Sequence, residues 1–265
     1  MPDTAARSPD SGPVLLCLDT ATERLHAALT LADGGHLSLE LPGGAQASST
    51  LLPALSSMLT EAGLPWSSLD GLAFGAGPGA FTGLRTACAT VQGLALGLDR
   101  PVLSLDTLML VAEDARLSGR LDLTQPLWAL QDARMGELYA AAYRWADEHW
   151  QVEAEPQLWA LDVALSRVAE AALPWAGNAL QADAARLAPL QATMLPGATG
   201  GTAAPRGAAL ASLAARAWLR GEAIDAALAL PRYVRNKVAQ TTAERAAERA
   251  GAVAAAEAAA VPARP

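Results

Sequence analysis

Two cysteines, Cys17 and Cys88, are all that this 265-residue chain carries. A single pair makes neither a disulfide framework nor a zinc cluster. Basic charge is also short: 19 Lys and Arg face 27 Asp and Glu, for a formal charge of −8 and an isoelectric point near 4.9. Phosphate neutralisation dominates nucleic-acid affinity, so such a chain is a poor candidate for holding nucleic acid unaided, although a local basic patch stays open. No apolar run approaches the ~18 residues of a membrane span, and Met1 to Pro13 lacks the apolar stretch of a signal peptide. Residues 1–13 read as a polar, disordered lead, and the expected location is the cytoplasm, with no membrane partner. The three histidines, His26, His36 and His149, are far apart, and no two have i, i+4 spacing. No metal site is expected from them. No Ser-His-Asp arrangement can be deduced, and no catalytic residues are assigned.

What the chain does have is apolar surface to bury. It is 52% hydrophobic and 17% charged, which excludes a wholly disordered protein. At ~150 residues per domain, the length predicts one large domain or two small ones. Val14 to Leu18, Leu25 to Leu31 and the alternating His36 to Leu41 read as a three-stranded antiparallel opening, with Asp33-Gly34-Gly35 as one turn. A helix is predicted over Thr50–Ala62, with Thr50 as cap, Pro53 in the first turn and Gly63 as stop. A strand at Gly71–Phe74, a second helix at Leu84–Leu98, a strand at Pro101–Leu105 and a helix near Asp106 follow. The order suits a mixed sheet with helical cover.

A second set begins near Leu127, with strands to Gln131, from Leu138 to Trp145 and near Trp150. A helix at Leu161–Ala172 and a strand at Trp175 complete it, and an alanine-rich helix at Ala208–Leu219 follows. The division expected is 14–110 for a first domain, with the helix at about 205–222 free to return to it, and 111–204 for a smaller second domain. Residues 223–238 form a C-terminal segment, and 239–265 a low-complexity Ala/Glu/Arg tail.

The most conspicuous motif is the loop Gly75-Ala76-Gly77-Pro78-Gly79-Ala80-Phe81-Thr82-Gly83 between a strand and a helix. Such a loop can present backbone N–H groups to an anion. It lacks the Lys-Ser or Lys-Thr of a Walker loop, and its spacing is not a dinucleotide fingerprint. Its glycines serve equally well for a tight turn and close packing. Gly77, Gly79, Thr82 and Gly83, with Arg85 in the following turn and Asp19 and Thr20 at the end of the first strand, form a candidate anion, nucleotide or plain loop site. A lone Asp at a strand end is more often a turn or cap residue. Cys88 reads as an inert core thiol.

A second signal is an absence of charge. No charged residue lies between Gln46 and Thr60, or between Thr86 and Leu98. On the second helix, Leu84, Ala87, Cys88, Val91, Leu94, Ala95 and Leu98 make one stripe. The opposite face carries Thr86, Ala89, Thr90, Gly93 and Gly97. A helix uncharged all round is normally covered all round, either by the second domain or by a partner helix that the small residues let approach.

Taken together, these motifs resemble the TsaB (YeaZ-like) family. The pieces are Leu16-Cys17-Leu18-Asp19-Thr20-Ala21-Thr22-Glu23, Leu51-Leu52-Pro53, Phe74 through Arg85, Gln92-Gly93-Leu94-Ala95, Asp132-Ala133-Arg134-Met135-Gly136-Glu137, and Tyr233 through Ala239. The resemblance implies an α/β, actin-like (ASKHA, ribonuclease H-like) fold of two related domains, with helices packed on mixed sheets. It also implies a non-catalytic accessory subunit in tRNA threonylcarbamoyladenosine (t6A) modification next to the anticodon. Such a subunit pairs with the catalytic homologue TsaD through helices of its first domain, works with the ATPase TsaE and meets tRNA through the complex. No cofactor is implied for this chain; ATP is used by the complex.

Carried over, the partner-binding set is Leu51, Leu55 and Met58 with Leu84, Ala87, Thr90, Val91, Gly93, Leu94 and Gly97. Val91→Glu or Gly93→Arg is then expected to break pairing and spare the fold. A nucleotide-binding enzyme of the same fold, or a homodimer through the same helices, are the alternatives. Family members often carry a His just before the Leu-Leu-Pro motif, where this chain has Ala47-Ser48-Ser49-Thr50. The lead and the alanine-rich tail also depart from the family pattern.

Overall fold

The computed structural model describes residues 11–43, 47–119, 121–199 and 206–235. The chain divides into two units, 1–234 and 235–265. Most of the expected disordered lead and all of the low-complexity tail lie outside the described residues.

Strands β1 (Leu15–Asp19), β2 (Arg24–Thr30) and β3 (His36–Pro42) form the antiparallel opening. Helix α1 (Ala47–Glu61) crosses to β4 (Gly71–Gly77), and α2 (Phe81–Leu98) crosses to β5 (Val102–Asp106). The five strands lie in the order β3-β2-β1-β4-β5, with β1, β4 and β5 parallel. Burial follows position: β1 and β4 are buried at every residue, whereas the edge strand β3 alternates between exposed and half-buried positions.

The second sheet repeats the plan. Strands β6 (Leu127–Asp132), β7 (Glu137–Ala146) and β8 (His149–Ala160) form a meander, α4 (Leu161–Ala171) crosses to β9 (Trp175–Gly177), and β10 (Met194–Thr199) adds an edge. Its order is β10-β9-β6-β7-β8. Read outward from the meander, each sheet has its third, second and first strand, then two added parallel strands. Two short 3-10 turns, Ala179–Gln181 and Ala188–Thr193, stand in the second sheet where α2 stands in the first.

Helices α3 (Thr107–Leu117) and α5 (Arg206–Leu219) pack between the sheets. The alternation of each strand sorts its side chains between layers. Leu15 and Cys17 of β1, like Leu127 and Ala129 of β6, join α3 and α5 in the central core. Leu16 and Leu18 face the other way, toward α1 and α2. Trp128 and Leu130 likewise face α4. At the centre, the carboxylate of Glu113 is fully buried and accepts from three side chains. Arg116 donates to it through Nε at 2.8 Å and Nη2 at 2.7 Å, Trp150 Nε1 donates at 2.8 Å, and the Ser212 hydroxyl donates as well.

Three local expectations are corrected. Helix α1 begins at Ala47, so Thr50 is not its cap and Pro53 lies inside the helix, exposed to solvent. Gly63 does end it, at φ 67°, with Gly63 N–H donating to Thr60 O and Leu64 N–H to Leu59 O. Strand β10 was not expected, because Met194-Leu195-Pro196-Gly197 carries two strand breakers. A Pro is tolerated there because the strand lies at the sheet edge.

Candidate functional site

The glycine loop is spent on packing against the β1–β2 turn. A Cβ on Gly83 would stand 1.8 Å from Thr20 O, and one on Gly79 would stand 2.5 Å from Ala21 Cβ. The Thr20 hydroxyl donates to Gly83 O at 2.6 Å, and Ala80 N–H donates to Ala21 O at 2.8 Å. Gly77 lies at the end of β4 with φ 122°, against the backbone of Arg232. Thr82 is exposed, and its carbonyl accepts from the Thr86 hydroxyl at 3.0 Å.

Asp19 and Arg85 belong to different places. Asp19 is fully buried between the sheets. Its Oδ1 accepts Ala21 N–H at 2.8 Å, and its Oδ2 pairs with Arg206 at 3.3 Å. The same guanidinium donates to Gln131 Oε1 of β6 at 3.2 Å, so Arg206 ties the two sheets together. Burial and the nearby Arg206 charge lower the pKa of His26, on β2, to about 4. Burial raises Asp114, on α3, to about 6, partly offset by Arg206. Nothing in the sequence pointed to Arg206, which lies 187 residues from Asp19. Among the described residues, no group of three or more His, Cys, Asp or Glu is placed to hold a metal ion.

Arg85 instead points outward at the head of α2. Its guanidinium carbon sits 3.8 Å from the centroid of the Phe81 ring, and its Nε donates to the Tyr233 hydroxyl at 3.0 Å. Phe81 and Tyr233 themselves pack with centroids 5.1 Å apart. Tyr233 arrives on a C-terminal strap running from Ala226. Gln92 Nε2 donates to the carbonyls of Ala226 and Ala229, and Arg232 N–H donates to Ala76 O. The Cys88 thiol, its pKa raised by burial, lies 3.4 Å from Ala229 O.

The rest of α2 divides as its sequence pattern suggests. Leu84, Ala87, Cys88, Val91 and Ala95 enter the chain's own core, as do Leu51, Leu55 and Met58 of α1. The partner-binding candidates Leu51, Leu55, Met58, Leu84, Ala87 and Val91 are therefore buried in the isolated chain. Val91→Glu would put a charge into that core, so it does not test pairing. Left outside are Ala89, Gly93 and Gly97, with Thr86, Thr90 and Leu94 half-buried. A Cβ on Gly93 or Gly97 would meet nothing within 4 Å. Leu52 and Leu96 stand 49% and 64% exposed. Between α1 and α2 lies a shallow groove of about 340 Å³ lined by Leu51, Leu52, Arg85, Thr86, Ala89 and Thr90. The Asp132–Glu137 motif forms the β6–β7 turn, from which Arg134 pairs with Glu23 in the β1–β2 turn.

Two sheets of repeated topology enclosing α3 and α5 define an actin-like (ASKHA) protein. The family described as "TsaD: tRNA N6-adenosine threonylcarbamoyltransferase" matches residues 44–262. The structure of YeaZ from Pseudomonas aeruginosa is 32% identical, with a TM-score of 0.65 over 83% of this chain and 99% of that one. The Escherichia coli (strain K12) "tRNA threonylcarbamoyladenosine biosynthesis protein TsaB" is 36% identical over 151 residues, 54% of this chain and 63% of the relative. Its namesake in Haemophilus influenzae is 38% identical over 125 residues, 47% of this chain and 51% of the relative. The matched stretch thus spans between half and two thirds of these curated relatives. The chain belongs to the TsaD family and, within it, to the TsaB (YeaZ-like) proteins.

Proposed function

We propose that this chain is a non-catalytic accessory subunit in t6A modification of tRNA. It docks on the catalytic TsaD-type homologue through the outer face of α2 and the neighbouring edge of α1, and acts together with the ATPase TsaE. The observation that carries this reading is the uncharged, small-residue face of α2, exposed beside its groove with Gly93 and Gly97 open to a close partner. The names borne by the relatives supply the pathway, and the family supplies the homologous partner. At a formal charge of −8, the chain meets tRNA through the assembled complex rather than alone. ATP is consumed by the complex, in the cytoplasm.

The test is reconstituted tRNA threonylcarbamoylation with the catalytic homologue and the ATPase. Activity is expected only when this chain is added, with no turnover by the chain alone. Gly93→Arg is expected to abolish both pairing and activation while leaving the circular dichroism spectrum unchanged. Full activity without the chain would sink the proposal. ATP protecting the isolated chain from thermal unfolding would favour a nucleotide-binding enzyme in its place.

A further inference from the structure

Arg85 is the only charged residue between Phe81 and Leu98, and on α1 the only one is Glu61, at its last position. It is held in place rather than left to move with solvent. The Phe81 ring supports the guanidinium from one side and the Tyr233 hydroxyl takes its Nε proton. Among the described residues, Tyr233 is the only side chain that accepts from it, and its two Nη groups make no hydrogen bond. Arg85 also lines the groove between α1 and α2, so a helix seated there would cover it. Covering a guanidinium without supplying an acceptor leaves a desolvated, unpaired charge, which is strongly unfavourable. A carboxylate meeting the Nη edge removes that penalty and, through two parallel bonds, fixes direction as well.

We infer that Arg85 is the specificity-determining anchor of this face, pairing with a carboxylate on an otherwise apolar, small-residue helix of the partner subunit. This rests on the docking reading above. The apolar and small residues set how closely the helices approach, but they slide easily along one another. A single pre-oriented cation at one end of the face sets the register. It also rejects apolar helices that lack the acid. The strap contributes by carrying Tyr233, so the anchor is assembled from residues 148 positions apart.

The experiment is a pairing titration between the full-length chain and its catalytic homologue at low and moderate salt. Arg85→Glu is expected to weaken pairing roughly 100-fold. Arg85→Lys keeps the charge but loses the fork, and is expected to fall between the two. Aspartates and glutamates on the partner's facing helices are then changed singly to Arg and tested against Arg85→Glu. One of them is expected to restore pairing. Wild-type pairing by Arg85→Glu, or failure of every reversal to restore it, would overturn the inference. So would loss of tRNA from the assembled complex with protein pairing intact, since the guanidinium would then be reading phosphate. Gly93→Arg separates the two levels. If it too leaves pairing intact, the docking face itself is wrong; if it alone breaks pairing, only the role of Arg85 fails. Arg85 is exposed, so its variants are expected to keep the fold, and a thermal melt of each checks this.

Discussion

Glu113 shows how much a single residue can organise here. A buried carboxylate is costly unless paired, and this one joins α3 to β8 through Trp150 and to α5 through Ser212. Glu113→Ala leaves Arg116 without its partner and the Trp150 N–H without an acceptor. The expected loss is about 3–5 kcal/mol, read from urea unfolding. Glu113→Gln keeps the shape and part of the bonding, and is expected to cost less, about 1–3 kcal/mol. The importance of Glu113 was not legible in the sequence. Its neighbours come from three elements, and a Glu on a helix is ordinarily a solvated residue. Asp19 was legible as a strand-end carboxylate, but its counter-ion Arg206 was not.

At the scale of elements, α2 carries two exposed glycines, Gly93 in its interior, which helix propensity alone disfavours by about 1 kcal/mol relative to Ala, and Gly97 in its last turn. Neither makes a turn, neither has positive φ, and a methyl group would fit at both. Their value lies outside the isolated chain, in how closely another helix can approach. Gly93→Ala and Gly97→Ala are therefore expected to raise the melting temperature of the isolated chain and to weaken its pairing with the catalytic homologue. Stabilisation without weakened pairing would remove close approach from the docking reading. The two faces of α2 could be told apart in the sequence, because the 3.6-residue period separates Leu84, Ala87, Cys88 and Val91 from Ala89, Gly93 and Gly97. Which face met the chain's own sheet was decided by packing. That packing withdrew Val91 and the buried leucines from the partner-facing set.

Across the whole molecule, the cluster between the sheets ties stability to pH. Asp114, raised from 3.8 to about 6, keeps in the fold a proton that the unfolded chain has already released between those values. Its contribution therefore falls as pH rises from about 4 to about 6. His26, lowered from 6.5 to about 4, does the reverse, since the unfolded chain binds the proton over that range. Asp114→Asn should therefore gain melting temperature relative to wild type as pH rises from about 4 to about 6, and His26→Gln should lose it from about 4 to about 6.5. Matching slopes for both variants and wild type would show that neither group titrates as its surroundings imply. The sequence by itself determined the order of strands and helices apart from β10, the meander openings and the uncharged helices, because periodicity and turn residues act over a few neighbours. Only the tertiary structure decided that the glycine loop closes on Thr20 and Ala21, that Arg206 bridges the sheets, and that Tyr233 comes to rest on Arg85. Those contacts join residues far apart in the chain, and no local pattern encodes which distant side chain will fill a given space.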